Sequence, residues 1–384
     1  MDAAVPPDAR LPGVGVSIFA VMTRLANEHG AINLSQGFPD FDCAPELIAL
    51  VREHLGRGQN QYAPMAGVPA LRQALARTIE RLYSARYDPD SEITITAGAT
   101  EAIFSAITAL VHPGDEVLVF EPCYDSYVPA IQLAGGIPVF VTLRFPDYAV
   151  DWDEVRRALT SKTRLVLLNS PHNPTGAVLD EGDMRRLATL LDGSRIVVIG
   201  DEVYEHLVFD GQRHESLARL PALAARSAVV SSFGKSFHTT GWKVGYVVAP
   251  AAISAEIQRV HQFVTFAVNT PIQHAYAEFL ERGVDFGEVS RFYQGKRDRF
   301  LALLEGSRLR PLPCRGTYFQ LLDYSPIGHD RDVDMAMTLL KTHGVAAIPT
   351  SAFLYASEAP AVLRFCFAKQ DDTLEQAAQR LRRV

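Results

Sequence analysis

Between Glu92 and Val248 the sequence repeats one pattern, a short run rich in β-branched residues followed by a longer stretch with helical spacing of its apolar positions. The runs are EITIT (92–96), EVLVF (116–120), IPVFV (137–141), RLVLLN (164–169), RIVVIG (195–200), AVVSS (228–232) and VGYVV (244–248). They are apolar on both faces, so neither face of the resulting sheet can meet water, and the intervening helical segments must cover both. The pattern predicts an α/β fold with a large lobe on a mainly parallel seven-stranded sheet. In that architecture ligands sit beyond the carboxyl ends of the strands, so the residues just after each run are where chemistry is expected.

After Pro250 helical spacing takes over, from about Ala251 to Val268 and again from Pro271 to Arg282. The C-terminal region then mixes strands (GTYFQLL at 316–322, VAAIP at 345–349, VLRFCF at 362–367) with helices at about 332–343 and 373–383. This reads as a smaller α+β lobe joined by the N-terminal arm. The expected division is a large domain over 42–282 and a small one made of 1–41 and 283–384.

Of the 384 residues 48% are hydrophobic and 21% charged, enough apolar surface to offset chain entropy and exclude wholesale disorder. A net charge of −7 argues against a nucleic-acid binder, which needs a basic face. The start, MDAAVPPDAR, has no basic region, and the first apolar stretch, Val14 to Met22, is too short for a membrane span. Cys43, Cys123, Cys314 and Cys366 form no C-x-x-C pair and read as packing thiols in a reducing compartment, so the cytosol is expected.

Three motif matches fail. Gly234-Lys235-Ser236 ends like a phosphate-binding loop, but Val229 stands where that loop needs glycine. Ser232-Phe-Gly-Lys235 fits S-x-x-K without the S-D-N or K-T-G elements that accompany it. Gly13-Val-Gly15 follows no strand and has Ile18 where the dinucleotide fingerprint needs its third glycine.

The residues just past the strand runs are more informative. After EITIT come Ala97-Gly98-Ala99-Thr100, small residues opening a helix whose N–H groups can gather an anion. Tyr124 comes after EVLVF, and Asn173 comes after RLVLLN within SPHNPTG, where the next proline favours an extended backbone. Asp201 and Tyr204 stand beyond RIVVIG, and Lys235 beyond AVVSS. An anion cradle, an aromatic plate, an amide, a carboxylate and a lysine at one sheet edge suit pyridoxal phosphate. That cofactor needs its phosphate held, its ring stacked, its pyridine nitrogen kept protonated and its aldehyde bound by a lysine.

The segments INLSQGFPDF (32–41), NQYAPMAGVPALRQA (60–74), AGATEAI (97–103), NSPHNPTG (169–176), DEVYEHLVF (201–209) and SSFGKSFHTTGWKVGY (231–246) resemble those of class I, fold type I aminotransferases. The resemblance covers the chain from about Ser17 onward. Within that family it runs to the methionine aminotransferases and the related kynurenine aminotransferase and cysteine-S-conjugate β-lyase group.

The resemblance implies that Lys235 carries the cofactor aldehyde and Asp201 pairs with the pyridine nitrogen. Asn173 and Tyr204 would bond the ring O3′, and Tyr124 would stack on the ring. Gly98, Ala99, Thr100, Ser232 and Lys243 would hold the phosphate, Lys243 as a point charge where many relatives place the fork of arginine. Tyr62 matches a tyrosine that reaches the phosphate of a neighbouring subunit, which implies a homodimer. Arg364, in an otherwise almost wholly apolar strand, would bind an α-carboxylate through two parallel hydrogen bonds, helped by Asn173 and the Gly37 backbone. Phe19, with Ile18, would line the substrate pocket.

Judged alone, each position has a plainer reading: Lys235 a solvated surface lysine, Asp201 a helix cap, Tyr124 core, Tyr62 an intrachain loop residue, Arg364 a structural ion pair and Phe19 ordinary packing. His172, His206 and His238 lie near the motifs without metal-ligand spacing and read as supporting residues.

The implied reaction moves the amino group of an α-amino acid, methionine or another apolar or aromatic one, to a 2-oxo acid by a ping-pong route. The freed Lys235 amine would carry the proton. At an unperturbed pKa of about 10.4 it would be neutral in only roughly one molecule in 2,500 at pH 7, so burial and nearby cations must lower it. The alternatives are β-elimination from cysteine S-conjugates, a kynurenine or glutamine aminotransferase, and an inactive cofactor-binding regulator.

Overall fold

A computed structural model of the protein describes residues 8–384; residues 1–7 of the expected N-terminal arm lie outside the described residues. Helix α1 (Ile18–His29) begins where the Ser17 hydroxyl accepts from the Phe19 N–H. Strand β1 (Ile32–Asn33) comes next, then α2 (Pro45–Gly56) and α3 (Pro69–Tyr83), both with proline in the first turn, where no intrahelical donor is lost.

The repeating region yields β2 (Ile93–Thr96), α4 (Ala99–Leu110), β3 (Glu116–Glu121), α5 (Tyr127–Leu133), β4 (Ile137–Thr142), α6 (Trp152–Ala158) and β5 (Thr163–Asn169). It continues with α7 (Glu181–Leu191), β6 (Val197–Asp201), α8 (Pro221–Ala224), β7 (Ser227–Ser232), α9 (Phe233–Ser236) and β8 (Gly245–Val248). These strands form one sheet in the order β2-β8-β7-β6-β5-β3-β4. Only β8 is antiparallel to its neighbours, because the link from Ser232 to Gly245 holds just the one-turn α9 and a tight turn instead of a covering helix.

Alternation along the strands divides the core. Val117, Val119, Leu165 and Leu167 pack with Ile103, Ala106 and Ile107 of α4, while Leu118, Phe120, Val166 and Leu168 pack with Met184, Leu187 and Leu191 of α7. This is why the runs are apolar at successive positions.

Beyond the sheet lie α10 (Ala251–Val264), α11 (Thr270–Glu281) and α12 (Phe286–Leu303). The first stops short of the expected Val268, since Phe266 turns to φ 67°, and α12 has no counterpart in the sequence reading. It buries little but Phe286, Tyr293, Arg297 and Phe300, a stripe diluted by glycine and charge. The C-terminal part adds β9 (Arg310–Pro311), β10 (Phe319–Asp323), α13 (Asp332–His343), β11 (Val345–Ala346), β12 (Ile348–Pro349), β13 (Val362–Cys366) and α14 (Asp371–Leu381).

The expected single strand over 345–349 is two. β11 pairs in parallel with β1, and β12 pairs antiparallel with β13 in the sheet β12-β13-β10-β9. The β1–β11 pairing fixes the N-terminal segment to the C-terminal part, and Met22 and Ala26 of α1 share a core with Leu339 and Leu340. No helix among the described residues is long and apolar enough to cross a membrane.

Candidate active site

The carboxyl ends of β2, β3, β5, β6 and β7 and the start of the reversed β8 share one sheet edge, and α1, the Gln36–Gly37 segment, β10 and β13 supply side chains opposite it. Between them lies a cavity of about 350 Å³. Of the positions singled out in the sequence, Gly98, Ala99, Thr100, Tyr124, Asn173, Asp201, Tyr204, Ser232, Lys235, Lys243, Gly37, Phe19 and Arg364 all line it. Tyr62 does not. It is 82% exposed and sets its ring edge-on to Phe266, 5.2 Å away, outside its own chain's cavity.

One end of the cavity gathers positive charge. Helix α4 points its N-terminus there, and Gly98 before it holds φ 80°, a conformation that side chains other than glycine's resist. A Cβ on Gly98 would sit 3.2 Å from Lys243 Nζ, so the ammonium stands directly over the helix start. Gly245 lets β8 run close beneath: a Cβ there would lie 2.9 Å from the Ala99 nitrogen. Ser232 Oγ, on the same rim, accepts from the Gly234 N–H at 3.2 Å.

Asp201 ends β6 and is buried. Burial pushes its carboxyl up to about 6, while the Tyr127 hydroxyl, donating at 2.5 Å, and the Val203 N–H hold the rise in check. Beside it Asn169 bridges two strand ends, donating through Nδ2 to the Asp201 carbonyl at 2.7 Å and accepting from the Asn173 N–H at 2.8 Å. Asn173 is thereby fixed with its own Oδ1 accepting from Arg364 Nη1 at 2.8 Å.

Arg364 is buried on β13. It donates through Nη2 to the Ser35 carbonyl at 3.0 Å, and its guanidinium lies 3.9 Å from the centre of the Phe319 ring, with Phe19 and Phe353 each at 5.1 Å. Burial lowers its pKa to about 10, so it stays charged at neutral pH. A guanidinium has five N–H donors. Asn173 and Ser35 take two, and Nε is buried without a partner.

Lys235 Nζ donates to the Tyr318 hydroxyl at 2.7 Å and to the Gly37 carbonyl at 3.2 Å. Burial draws its pKa down to about 8, with Arg364 and Lys243 adding to the fall and Cys366 and Asp201 opposing it. At that value about one molecule in ten holds a neutral amine at pH 7. Tyr204 is buried edge-on to Tyr318, ring centres 5.1 Å apart, and Tyr124 lies edge-on to Tyr127 at 5.6 Å.

Three contributors escaped sequence reasoning. Tyr127 stands three residues beyond Tyr124 at the start of α5, and that spacing could have flagged it. Asn169 ends its strand run in plain view. Tyr318, in the GTYFQ segment 83 positions from Lys235, gives no local signal. His172 donates to or accepts from Thr175 Oγ1 at 2.7 Å, His206 stacks on Phe286 at 3.7 Å and His238 meets Phe41 edge-on. No cluster of three metal-ligating side chains occurs among the described residues.

Comparison with known proteins gives one answer. The family model "Aminotransferase class I and II" matches residues 29–381. The chain is 51% identical to the methionine aminotransferase of Escherichia coli over 98% of both chains, and a solved E. coli structure described as having methionine aminotransferase function superposes with a TM-score of 0.97 over 99% of this chain and all of that one. The N-succinyldiaminopimelate aminotransferase structure from Mycobacterium tuberculosis matches at 40% identity and a TM-score of 0.95, over 98% of this chain and 99% of that one. A kynurenine–oxoglutarate transaminase of Dictyostelium discoideum is 35% identical over 98% of this chain and 95% of its own.

Proposed function

The chain belongs to the class I and II aminotransferases, and we propose that its preferred amino donor is methionine or another amino acid with an apolar side chain. As a member of that family it is a fold type I transaminase that uses pyridoxal 5′-phosphate and exchanges an amino group between an α-amino acid and a 2-oxo acid.

The residues present fit that cofactor. The Gly98 cradle with Lys243 above it suits a phosphate, the buried Asp201 carboxylate suits a pyridinium nitrogen, and Lys235 reaches into the cavity between them. Tyr124 would cover a ring face, the Asn173 amide and Tyr204 hydroxyl would bond a ring hydroxyl, and Thr100, Ala99 and Ser232 would complete the phosphate rim; all of them line the cavity. Bound there, the cofactor supplies the electron sink that makes the substrate Cα proton acidic.

The protein's own part is binding and proton movement. Arg364, with three N–H donors beyond its two internal bonds, takes the α-carboxylate through a paired contact, and the Gly37 segment closes against it. Lys235 Nζ would take the proton from the substrate Cα, hold it as an added N–H bond and deliver it to C4′ of the cofactor, which its lowered pKa permits at neutral pH.

One observation carries the donor preference: among the described residues the cations lining the cavity are Lys235, Lys243 and Arg364, each with an assigned partner, while apolar Phe19, Ile103, Val203, Val244 and Phe319 share the wall with uncharged Gln36 and Thr240. A second, distal carboxylate would find no unassigned counter-charge among the described residues of this chain. This favours methionine over aspartate or a succinylated dicarboxylate as donor. A panel of donors with several 2-oxo acids, ranked by kcat/KM, tests it: methionine should lead, and a lead for aspartate or N-succinyldiaminopimelate overturns the preference.

The homodimer, the division into a domain over 42–282 and one over 1–41 and 283–384, and a cytosolic setting belong to the same reading. Exposed Tyr62, Phe263, Val264 and Phe266 support a subunit interface. The four free, buried cysteines support a reducing compartment.

A further inference from the structure

We propose that Tyr318 is a positioning residue that aims the lone pair of the Lys235 amine into the reaction cavity. The proposal rests on the assignment of Lys235 as the proton carrier.

A neutral primary amine has two N–H bonds and one lone pair. Lys235 Nζ spends its two N–H bonds on the Tyr318 oxygen, at 2.7 Å, and the Gly37 carbonyl, at 3.2 Å. Tyr318 in turn commits its only hydrogen to the same Gly37 carbonyl, so it has none to give to the amine. The phenol and the carbonyl therefore act on Nζ as two acceptors, and the lone pair is the one valence left, pointing away from both. A phenol free to donate would instead occupy that lone pair and silence the base.

Tyr318 is held for this purpose. It is fully buried, its ring edge-on to Tyr204 and Phe319, at 5.1 and 4.9 Å, and tilted against Tyr293 at 5.7 Å. The preceding Thr317 sits at φ 68° and its hydroxyl accepts from the Phe319 N–H, fixing the entry into β10. The step served would be the proton transfer: as the substrate Cα–H bond breaks, its proton would join the Nζ lone pair as a new N–H bond, and the electron pair left on Cα would be stabilised by the electron sink the cofactor supplies. A lone pair that must first rotate into line slows that step.

The charged and titratable groups facing Nζ are Asp201, Arg364, Lys243 and Cys366, with the phenols of Tyr204 and Tyr318 against it. Removing the phenol oxygen takes an acceptor from the ammonium, so more of the amine becomes neutral at a given pH. The two effects oppose each other: more base is available, yet it is worse aimed.

The test compares Tyr318→Phe with Tyr293→Phe, which removes a buried hydroxyl that has no partner from the same aromatic cluster. In Tyr318→Phe, kcat with methionine should fall at least about tenfold with KM little changed, and the α-deuterium isotope effect should rise as proton transfer becomes limiting. In the cofactor-free protein, modification of Lys235 by an amine-reactive ester, followed by peptide mass, should show its midpoint moved to lower pH. Tyr293→Phe should match the wild type in all three. Replacement of Tyr318 by 3-fluorotyrosine, which keeps shape and packing while weakening the oxygen as an acceptor, should move them in the same directions by less. Unchanged kcat and isotope effect in Tyr318→Phe, or equal losses in Tyr293→Phe, overturn the proposal. Failure of the underlying assignment is separate: it shows as transamination surviving in Lys235→Ala.

Discussion

The Tyr127 hydroxyl donates to Asp201 Oδ2 at 2.5 Å, joining the first turn of α5 to the end of β6 across 74 positions of sequence. Burial raises the Asp201 carboxyl to about 6, and this donor is the largest influence opposing the rise. In the proposed role the carboxylate would pair with a pyridinium only while ionised, so Tyr127 would set how acidic the medium can become before that pairing weakens.

Tyr127→Phe is therefore expected to raise the Asp201 pKa further above about 6. A hydrogen bond to a charged group contributes roughly 1.5–3 kcal/mol, or about one to two pKa units. The acidic limb of kcat/KM should move up in pH by that amount, with activity largely recovered near pH 8.5; a profile superposable on the wild type would mean that Tyr127 does not tune Asp201.

Arg364→Lys should raise KM for every amino donor about a hundredfold and lower kcat much less. A lysine keeps the charge but loses the fork and the stacking on Phe319, 3.9 Å away. Steady-state kinetics with methionine and a second apolar donor decides it; unchanged KM values would mean the carboxylate binds elsewhere.

Much of this was legible in the sequence. The seven strands fall within two residues of their apolar runs because burial on both faces leaves an unambiguous signature. Thirteen of the expected site positions line one cavity because each stands close to a strand end or on a segment that motif resemblance could find. What was hidden has physical causes. The reversal of β8 depends on how short its connection is, which periodicity does not report. The split at Ala347 depends on two partners, β1 and β13, from opposite ends of the chain. Tyr318 meets Lys235 only through the packing of β10 against the large sheet.

The exposed patch of Tyr62, Phe263, Val264 and Phe266 predicts an interface. Phe263→Asp combined with Phe266→Asp should shift sedimentation from dimer to monomer and loosen the cofactor. Tyr62→Phe should keep the dimer and weaken cofactor retention alone. A wild-type protein that sediments as a monomer at micromolar concentration would refute the shared site.

Acid should destabilise the fold in a defined window. Burial lowers His172 and His206 from 6.5 to about 4. Between those values the unfolded chain binds protons that the folded protein does not, so stability is full above 6.5 and falls as pH drops towards 4. Each contributes about 3 kcal/mol at roughly 1.4 kcal/mol per unit. Asp201, raised by burial, acts in the opposite sense between its ordinary 3.8 and about 6 and offsets part of the loss. Urea unfolding at pH 7, 5.5 and 4.5 should give progressively lower midpoints, and His172→Gln should flatten the trend.

If the Lys235 amine carries the proton, the rate of Lys235→Ala with methionine as donor must depend on an amine supplied from outside. Reconstituted with cofactor, the variant should bind it without a covalent link and show no measurable transamination, and added methylamine or ethylamine should restore a part of the rate, rising with the fraction of free base. Substantial transamination by Lys235→Ala without any added amine would rule out Lys235 as the proton carrier.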